Sequence, residues 1–283
     1  MADPTKVNTY EHLFLLWYHE NTRVFSDRLI NQDDRDWFSN LLTDTLKKQF
    51  DYDITDLTKD KVLFYNDFCG AHGQYERITN FRKIERVLIE FLEDYNNITT
   101  APMKLVLFQD AVDHICRIIR ILRQPRGNGL LLGMGGSGRQ SLTKLSCHIR
   151  EYNCFQIELS KAYSNHDWRE DIKDMMLKTG LENQIMVFLF SDTQIKGEFM
   201  LEDLNNILNN GDVPNIYSSE ELERIFQAMR GPVQQAGLQI NRSNLFSTYL
   251  KVIRNNLHTI ITMRLLQCIS LRILKMNPLT RLF

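Results

Sequence analysis

The segment GNGLLLGMGGSGRQSLTKL, residues 127–145, constrains the fold of this chain most strongly. The run GLLLG is short and apolar, which is typical of a strand buried on both faces of a parallel sheet. A glycine-rich loop and a helical pattern follow it, so the loop is nearly a phosphate-binding P-loop. Gly133, Gly135, Gly136 and Gly138 would let backbone N–H groups converge on phosphate, and the helix amino terminus would add a partial positive charge.

Two residues depart from the usual pattern of such a loop. Arg139 stands where lysine belongs, and Gln140 stands where serine or threonine belongs. An arginine keeps the positive charge but spreads it over a larger fork, and Gln140 offers Mg²⁺ only a carbonyl oxygen. Ser141 supplies a hydroxyl one residue late, where the helix has turned by about 100°. The loop alone therefore indicates either a nucleotide site or a glycine-rich turn without a ligand.

A second candidate element is the apolar run MVFLFSDTQI, residues 186–195, which ends in Asp192. Doubly wound folds bind their ligands at the carboxyl ends of the strands, where this carboxylate is expected to lie. Asp192 is a candidate for holding Mg²⁺ through water, with Gln140 or Ser141 as possible further ligands; alternatively, it caps the following turn. The next residue is Thr193, at a position where hydrolytic P-loop proteins commonly have a glutamate. A threonine cannot act as the base that activates water, so no catalytic residue is predicted.

The rest of the chain from residue 102 alternates strand and helix patterns. The predicted strands are 129–133, 154–159, 184–190 and 257–262, and the helical patterns between and before them are 105–124, 168–177 and 201–208. This alternation predicts an α/β fold with a doubly wound parallel sheet.

The first hundred residues have a helical pattern instead. Apolar residues at helical spacing predict helices within 8–29, 33–50 and 84–95, with Asn8 or Thr9 as the first cap. Residues 51–75 mix turn residues with a short aromatic run, which predicts a connector over the surface.

Composition excludes several classes of function. The 34 basic residues balance the 35 acidic ones, so no overall field favours nucleic acid or an anionic membrane as a partner. Five cysteines without a CxxC pair are typical of reduced thiols, and Cys147 and Cys154 are predicted in the core. The histidines lack metal-site spacing, so no structural metal is expected. The amino terminus does not read as a secretory signal, and arginines interrupt the last apolar stretch, so a soluble chain is predicted.

Several long blocks, in order, resemble the dynein heavy chains, and among them the axonemal ones. The blocks are LWYHENTRVFSDRL (16–29), PMKLVLFQDAVDHICRIIRILRQPRGNGLLLGMGGSGRQSLTKL (102–145), FQIELSKAYSNHDWREDIK (155–173), VFLFSDTQI (187–195) and FMLEDLNNILNNGDVPNIY (199–217). The resemblance covers roughly residues 5–262. It implies the end of the third AAA+ module followed by the large subdomain of the fourth. The expected organisation is a helical lid-like segment and connector in 1–98, an incomplete nucleotide-binding subdomain in 99–262 and a divergent tail in 263–283.

The resemblance also implies roles for particular residues. The loop from Gly133 to Ser141, including Ser137, would be the Walker A loop, and Asp192 would be the Walker B acid. Met103 and Leu105 would line the adenine pocket, although both also fit a plain core. ATP or ADP with Mg²⁺ is the expected cofactor, held without efficient turnover because of Arg139, Gln140 and Thr193. Arg23 and Arg28 would either contact nucleotide in an intact ring or lie on a solvated or salt-bridged helix face.

The expected function is therefore that of a nucleotide-binding fragment of an axonemal dynein heavy chain, in a ciliary, microtubule-based motor. Its expected partners are other AAA+ modules and subunits of a dynein complex, with microtubules contacted only through other parts of such chains. The alternative is a nucleotide-free structural or interaction module. The tail, with Arg264 and Arg272 among leucines, would be an out-of-family unfolded terminus or a basic amphipathic helix that binds a membrane or partner.

Overall fold

The computed structural model describes residues 7–58, 64–69 and 73–264. These residues fall into two compact units, one ending at Arg120 and the other beginning at Ile121. The tail from residue 265 onward, including Cys268 and Arg272, lies outside the described residues.

The first unit is mainly helical, as the sequence predicts. Its long helices are α1 (Tyr10–Val24), α2 (Gln32–Phe50) and α4 (Phe81–Ile98), and the short α3 covers Thr55–Thr58. Thr9 is the cap of α1, because its hydroxyl accepts a hydrogen bond from the His12 N–H at 3.2 Å. Helix α2 ends where Asp51 takes a left-handed conformation, with φ of 51°.

Residues 51–75 are predicted to form a connector over the surface, and this prediction is wrong for the short aromatic run. Strand β1 (Phe64–Asn66) pairs antiparallel with β2 (Glu76–Ile78), and all three residues of β1 are buried. The ring of Tyr65 stacks on His19 of α1 with centroids 4.3 Å apart. Burial of aromatic surface therefore outweighs the turn-forming residues around it.

The helix predicted at 105–124 begins later than its periodicity suggests. Helix α5 covers Gln109–Arg123, and the residues immediately before it have no regular secondary structure. In that stretch Leu107 is buried, whereas Val106 and Phe108 are exposed. Alternation of this kind is the pattern of extended backbone, so these residues follow the period of a strand and not that of a helix.

The second unit is an α/β domain with a four-stranded sheet. The strands are β3 (Gly129–Gly133), β4 (Asn153–Phe155), β5 (Met186–Ser191) and β6 (Leu257–Arg264), and the helices are α6 (Arg139–Ile149), α7 (Asn165–Leu181), α8 (Glu198–Asn210), α9 (Ser219–Gln235) and α10 (Arg242–Asn256). The sheet order is β3-β6-β5-β4, and every pair is parallel. The predicted fold class, a P-loop parallel sheet preceded by a helical segment, is confirmed.

Three strands differ from prediction. Strand β5 covers Met186–Ser191 rather than residues 184–190. Strand β4 ends at Phe155 rather than continuing through residue 159. Strand β6 continues past residue 262 and includes Met263 and Arg264, which the sequence suggests belong to the tail. Its extension follows from pairing, because Met263 and Arg264 lie opposite Leu132 and Gly133 of β3.

The core of the second unit packs helices against the sheet. Trp168 of α7, Phe188 and Phe190 of β5 and Tyr249 of α10 are among its fully buried side chains. Cys147 is buried as predicted, but Cys154 is exposed, so the core prediction is wrong for that thiol. The cause is its place in the short strand β4, which lies at the edge of the sheet.

Candidate nucleotide-binding site

The glycine-rich loop lies between the carboxyl end of β3 and the amino end of α6. Gly136 and Gly138 have φ of 80° and 77°, a conformation that side-chain-bearing L-residues rarely adopt. Gly138 is also the cap residue of α6, and its carbonyl oxygen accepts the first helical hydrogen bond, from the Leu142 N–H at 2.8 Å. The sequence therefore forms this strand-loop-helix turn because glycine occupies the positions of positive φ.

The space beside the loop is open. A Cβ atom added at Gly135 or Gly136 would meet no heavy atom within 4 Å, and Met134 at the start of the loop is 84% exposed. The first N–H groups of a helix have no partner within the helix, and the helix dipole makes them attractive to anions. An open glycine loop over the amino end of α6 thus fits a phosphate group.

The guanidinium of Arg139 is hydrogen-bonded to backbone carbonyls of the loop and of the neighbouring strands. It donates to the carbonyl oxygens of Met134 at 2.8 Å, Leu131 at 3.4 Å and Met263. Burial holds the pKa of this guanidinium below its ordinary value. The charge of Asp192 opposes that shift, and the charge of Arg264 adds to it. Arg139 therefore connects the loop with the ends of β3 and β6, and its predicted role at phosphate stays a prediction.

Gln140 and Ser141 occupy the first turn of α6, where both are half-buried. The Gln140 Oε1 atom accepts a hydrogen bond from the side-chain amide of Gln156 at 3.4 Å. Their predicted contacts with Mg²⁺ stay predictions.

Asp192 lies directly after β5 and begins a 3-10 turn that ends at Gln194. Gln194 is buried and fixes this end of the strand: its Oε1 accepts from the Ser191 N–H at 2.8 Å, and its amide donates to the Ile157 carbonyl. Thr193 is exposed, and its hydroxyl is 2.8 Å from that of Ser191. The position expected for a catalytic glutamate therefore presents a hydroxyl group.

The carboxylate of Asp192 has a partner that sequence reasoning missed. Its Oδ2 accepts hydrogen bonds from the backbone N–H of Arg264 at 2.8 Å and from the Arg264 Nε at 3.1 Å. The contact follows from strand register, because Ser191 of β5 lies opposite Thr262 of β6 and Arg264 comes two residues later. Residues 72 positions apart give no local sequence signal for such a pair.

The surroundings of Asp192, the acid predicted to hold Mg²⁺, disfavour the ion in this arrangement. Mg²⁺ requires oxygen ligands in near-octahedral geometry, and one oxygen of Asp192 is engaged by a guanidinium. A dication on the same carboxylate would be repelled by the charge of Arg264, although solvent screens part of this repulsion because the Arg264 side chain is half exposed.

Met103 and Leu105 lie in the first unit, before α5. The backbone of Met103 is held by Asn96 of α4, through its N–H at 2.7 Å and its carbonyl oxygen at 2.9 Å. Both side chains are half-buried. Their predicted contact with an adenine base stays a prediction that rests on the resemblance.

Within the described residues, no three His, Cys, Asp or Glu side chains are close enough to share a metal ion. No helix in the same part of the chain has the length and apolar character that crossing a bilayer requires.

Comparison with known families agrees with this geometry. Residues 103–279 match the family described as the P-loop containing dynein motor region D4, and residues 4–62 match the AAA+ lid domain. The fold and the loop thus define a P-loop AAA+ domain. The first of these matches covers more than half of the chain and shows that the chain belongs to the family of P-loop dynein motor regions, as the sequence predicts.

Individual relatives are axonemal. The chain is 50% identical to dynein axonemal heavy chain 1 of Homo sapiens and of Mus musculus, over 266 residues in each case. It is 41% identical to dynein axonemal heavy chain 6 of Homo sapiens over 269 residues. Each alignment covers 93% of this chain and 6% of the relative, so the chain spans a small part of the length of the curated relatives it matches.

Proposed function

We propose that this chain binds ATP or ADP through the loop Gly133–Ser141 and hydrolyses ATP slowly or not at all. The observation that carries the proposal is the loop backbone, in which Gly136 and Gly138 have positive φ and the space beside Gly136 is open. Membership of a P-loop family supports the same conclusion. Slow turnover follows from Thr193, because a hydroxyl group does not take up the proton of an attacking water.

The proposed setting is an axonemal dynein heavy chain, which is what the names of the relatives describe. The partners would be other AAA+ modules and subunits of a dynein complex, and the location would be the axoneme of a cilium or flagellum. In such a microtubule-based motor, a site that holds nucleotide without efficient turnover would have a regulatory or structural role.

A titration of the 283-residue chain with fluorescent ATP and ADP tests nucleotide binding. In the variant Gly136→Asp, a carboxylate beside the loop should abolish binding by repelling phosphate. Gly237→Asp is a matched control, since Gly237 also has positive φ, 69°, and open space around its Cβ position. The proposal predicts saturable binding by the wild-type chain and by the control, and loss in Gly136→Asp alone.

A second function is favoured by Arg139 and Arg264. Both guanidinium groups are engaged within the chain, one with backbone carbonyls and the other with Asp192. In a nucleotide-free structural module, the charged side chains of the site would be paired within the chain in this way. Absence of binding by a chain whose circular dichroism shows the folded state would select this alternative.

The rate of phosphate release tests the hydrolysis part separately. The wild-type chain should release phosphate from ATP no faster than the Gly136→Asp variant. Thr193→Glu places a carboxylate at the position of the usual base, so a rise in rate would show that the rest of the site is competent. Rapid turnover by the wild-type chain would contradict the proposal.

A further inference from the structure

Arg264 brings a positive charge to Asp192, the residue predicted to hold Mg²⁺. Its Nε and its backbone N–H both donate to the same oxygen of Asp192, at 3.1 and 2.8 Å. Asp192 is only 8% exposed, whereas the side chain of Arg264 is 53% exposed. The charge of the carboxylate is therefore balanced from inside the chain, by a side chain that is about half exposed.

The position of Arg264 in the sheet places it at the phosphate loop as well. It lies opposite Gly133, the residue at which β3 ends and the loop begins. Strand β6 separates the strand that leads into the loop from the strand that leads to Asp192. A cation at the carboxyl end of this central strand is thus located between the loop and the acid.

Electrostatic coupling links the same three charged groups. The charges of Asp192 and Arg264 both act on Arg139, which begins α6. Two guanidinium groups and one carboxylate leave a net positive charge at this edge of the sheet. Net positive charge beside a glycine loop attracts polyphosphate and disfavours a bound divalent cation.

We propose that Arg264, anchored by Asp192, takes the place of Mg²⁺ at this site, so that nucleotide binding does not require the metal. This inference rests on the proposed nucleotide binding and states which positive charge lies beside the bound phosphates. A guanidinium can pair with phosphate through charge-assisted hydrogen bonds and brings its charge without a metal ion. The competing arrangement is the predicted one, in which Asp192 holds Mg²⁺ through water with Gln140 or Ser141.

The test measures the affinity of the full chain for fluorescent ATP, once with excess Mg²⁺ and once with EDTA. In the wild-type chain the two dissociation constants should agree within about threefold, because one charge-assisted contact to phosphate is retained in both conditions. Arg264→Gln removes the charge, and its affinity in EDTA should fall by about tenfold or more, the effect expected for losing such a contact. Arg242→Gln, which alters an exposed arginine of α10, should behave as wild type.

The wild-type comparison needs no variant, so it remains decisive if Arg264→Gln fails to fold. Arg264→Lys keeps the charge and should retain metal-independent binding. Wild-type binding that is lost in EDTA would overturn this inference while leaving the proposed function intact. No binding in either condition would overturn the proposed function, and this inference with it.

Discussion

The guanidinium of Arg139 donates a hydrogen bond to the carbonyl oxygen of Met134 at 2.8 Å, within the loop proposed to receive phosphate. The same side chain also bonds the carbonyl oxygens of Leu131 and Met263. At the position of the usual lysine, this chain therefore has a side chain that fastens the loop to the ends of β3 and β6.

Replacing Arg139 with alanine should reduce stability more than nucleotide affinity. Losing hydrogen bonds from a charged donor to backbone carbonyls costs about 2 kcal/mol, which thermal or urea unfolding would detect. Affinity for ATP should fall by only about threefold, because the guanidinium adds positive charge near the loop but its hydrogen bonds go to backbone carbonyls. Arg230→Ala, at an exposed position of α9, is the control. Unchanged stability with lost binding would instead assign Arg139 to the phosphate.

The packing of Gly180 gives a prediction for the core of the second unit. A Cβ atom added there would lie 2.2 Å from Cε2 of Tyr249. That ring cannot withdraw easily, since it is fully buried and its hydroxyl donates to the Met176 carbonyl at 3.2 Å. Gly180→Ala should therefore lower the free energy of unfolding by about 2 kcal/mol.

Gly231 offers the matched control, because it also lies inside a helix but has open space at its Cβ position. Gly231→Ala should change the free energy of unfolding by less than about 0.5 kcal/mol, because the higher helix propensity of alanine is offset by crowding against the ring of Pro232, the next residue. Urea midpoints of both variants measure the difference. Equal effects at the two positions would show that contact with Tyr249 does not destabilise the Gly180→Ala variant.

Arg23 belongs to a buried ion-pair network, which agrees with the salt-bridged alternative predicted for its helix face. Its guanidinium bonds Asp27 at 3.1 Å and Asp113 at 2.8 Å, and all three side chains are at most 12% exposed. Arg23→Ala leaves Asp27 and Asp113 with Arg117 as their remaining partner, so it should cost about 2–3 kcal/mol of stability, the value of lost hydrogen bonds between charged groups. The exposed pair of Lys47 and Asp53 is the control, and Lys47→Ala should leave the urea midpoint unchanged. Equal midpoint shifts would contradict the burial argument.

His19 gives the first unit a dependence on pH. Burial, and then the charges of Arg23, Arg120 and Arg117, hold the pKa of His19 well below its ordinary value. Its Nε2 lies 2.8 Å from the hydroxyl of Tyr75, so the imidazole is neutral and hydrogen-bonded in the fold. Below about pH 6.5 the unfolded chain takes up a proton that the folded chain does not. Stability should therefore be full above that pH and decline as the pH falls.

Urea unfolding at several pH values between neutral and mildly acidic conditions measures this slope, which approaches about 1.4 kcal/mol per pH unit for one proton. His19→Gln should reduce the slope. His12→Gln, at an exposed position of the same helix, should leave it unchanged. A slope that is identical in all three chains would remove His19 as its source.

Local patterns were sufficient for much of the fold. Strand β3 has the predicted bounds, because its apolar run is continuous and the glycine-rich loop that follows marks where the strand ends. Helices α9 and α10 were not assigned from the sequence, although a signal for the first was present. Ser218 and Glu221 form a capping box at its start, a spacing that the sequence displays.

The chemistry of the site was less predictable than its backbone. Glycine positions reveal a loop because conformational freedom is a property of single residues. The partner of Asp192 depends instead on how β5 and β6 align, which no local pattern encodes. The direction of the Arg139 side chain likewise depends on carbonyl groups of β3 and β6 that only the folded sheet brings together.

Hydrogen–deuterium exchange with and without ATP tests whether nucleotide occupies the loop from Gly133 to Ser141. The account predicts slower exchange of the amides from Met134 to Leu142 when ATP or ADP is added, and no such change in the Gly136→Asp chain. Peptides around Gly237 should exchange at the same rate throughout. Unchanged exchange in the loop of a folded wild-type chain at saturating nucleotide would contradict the account.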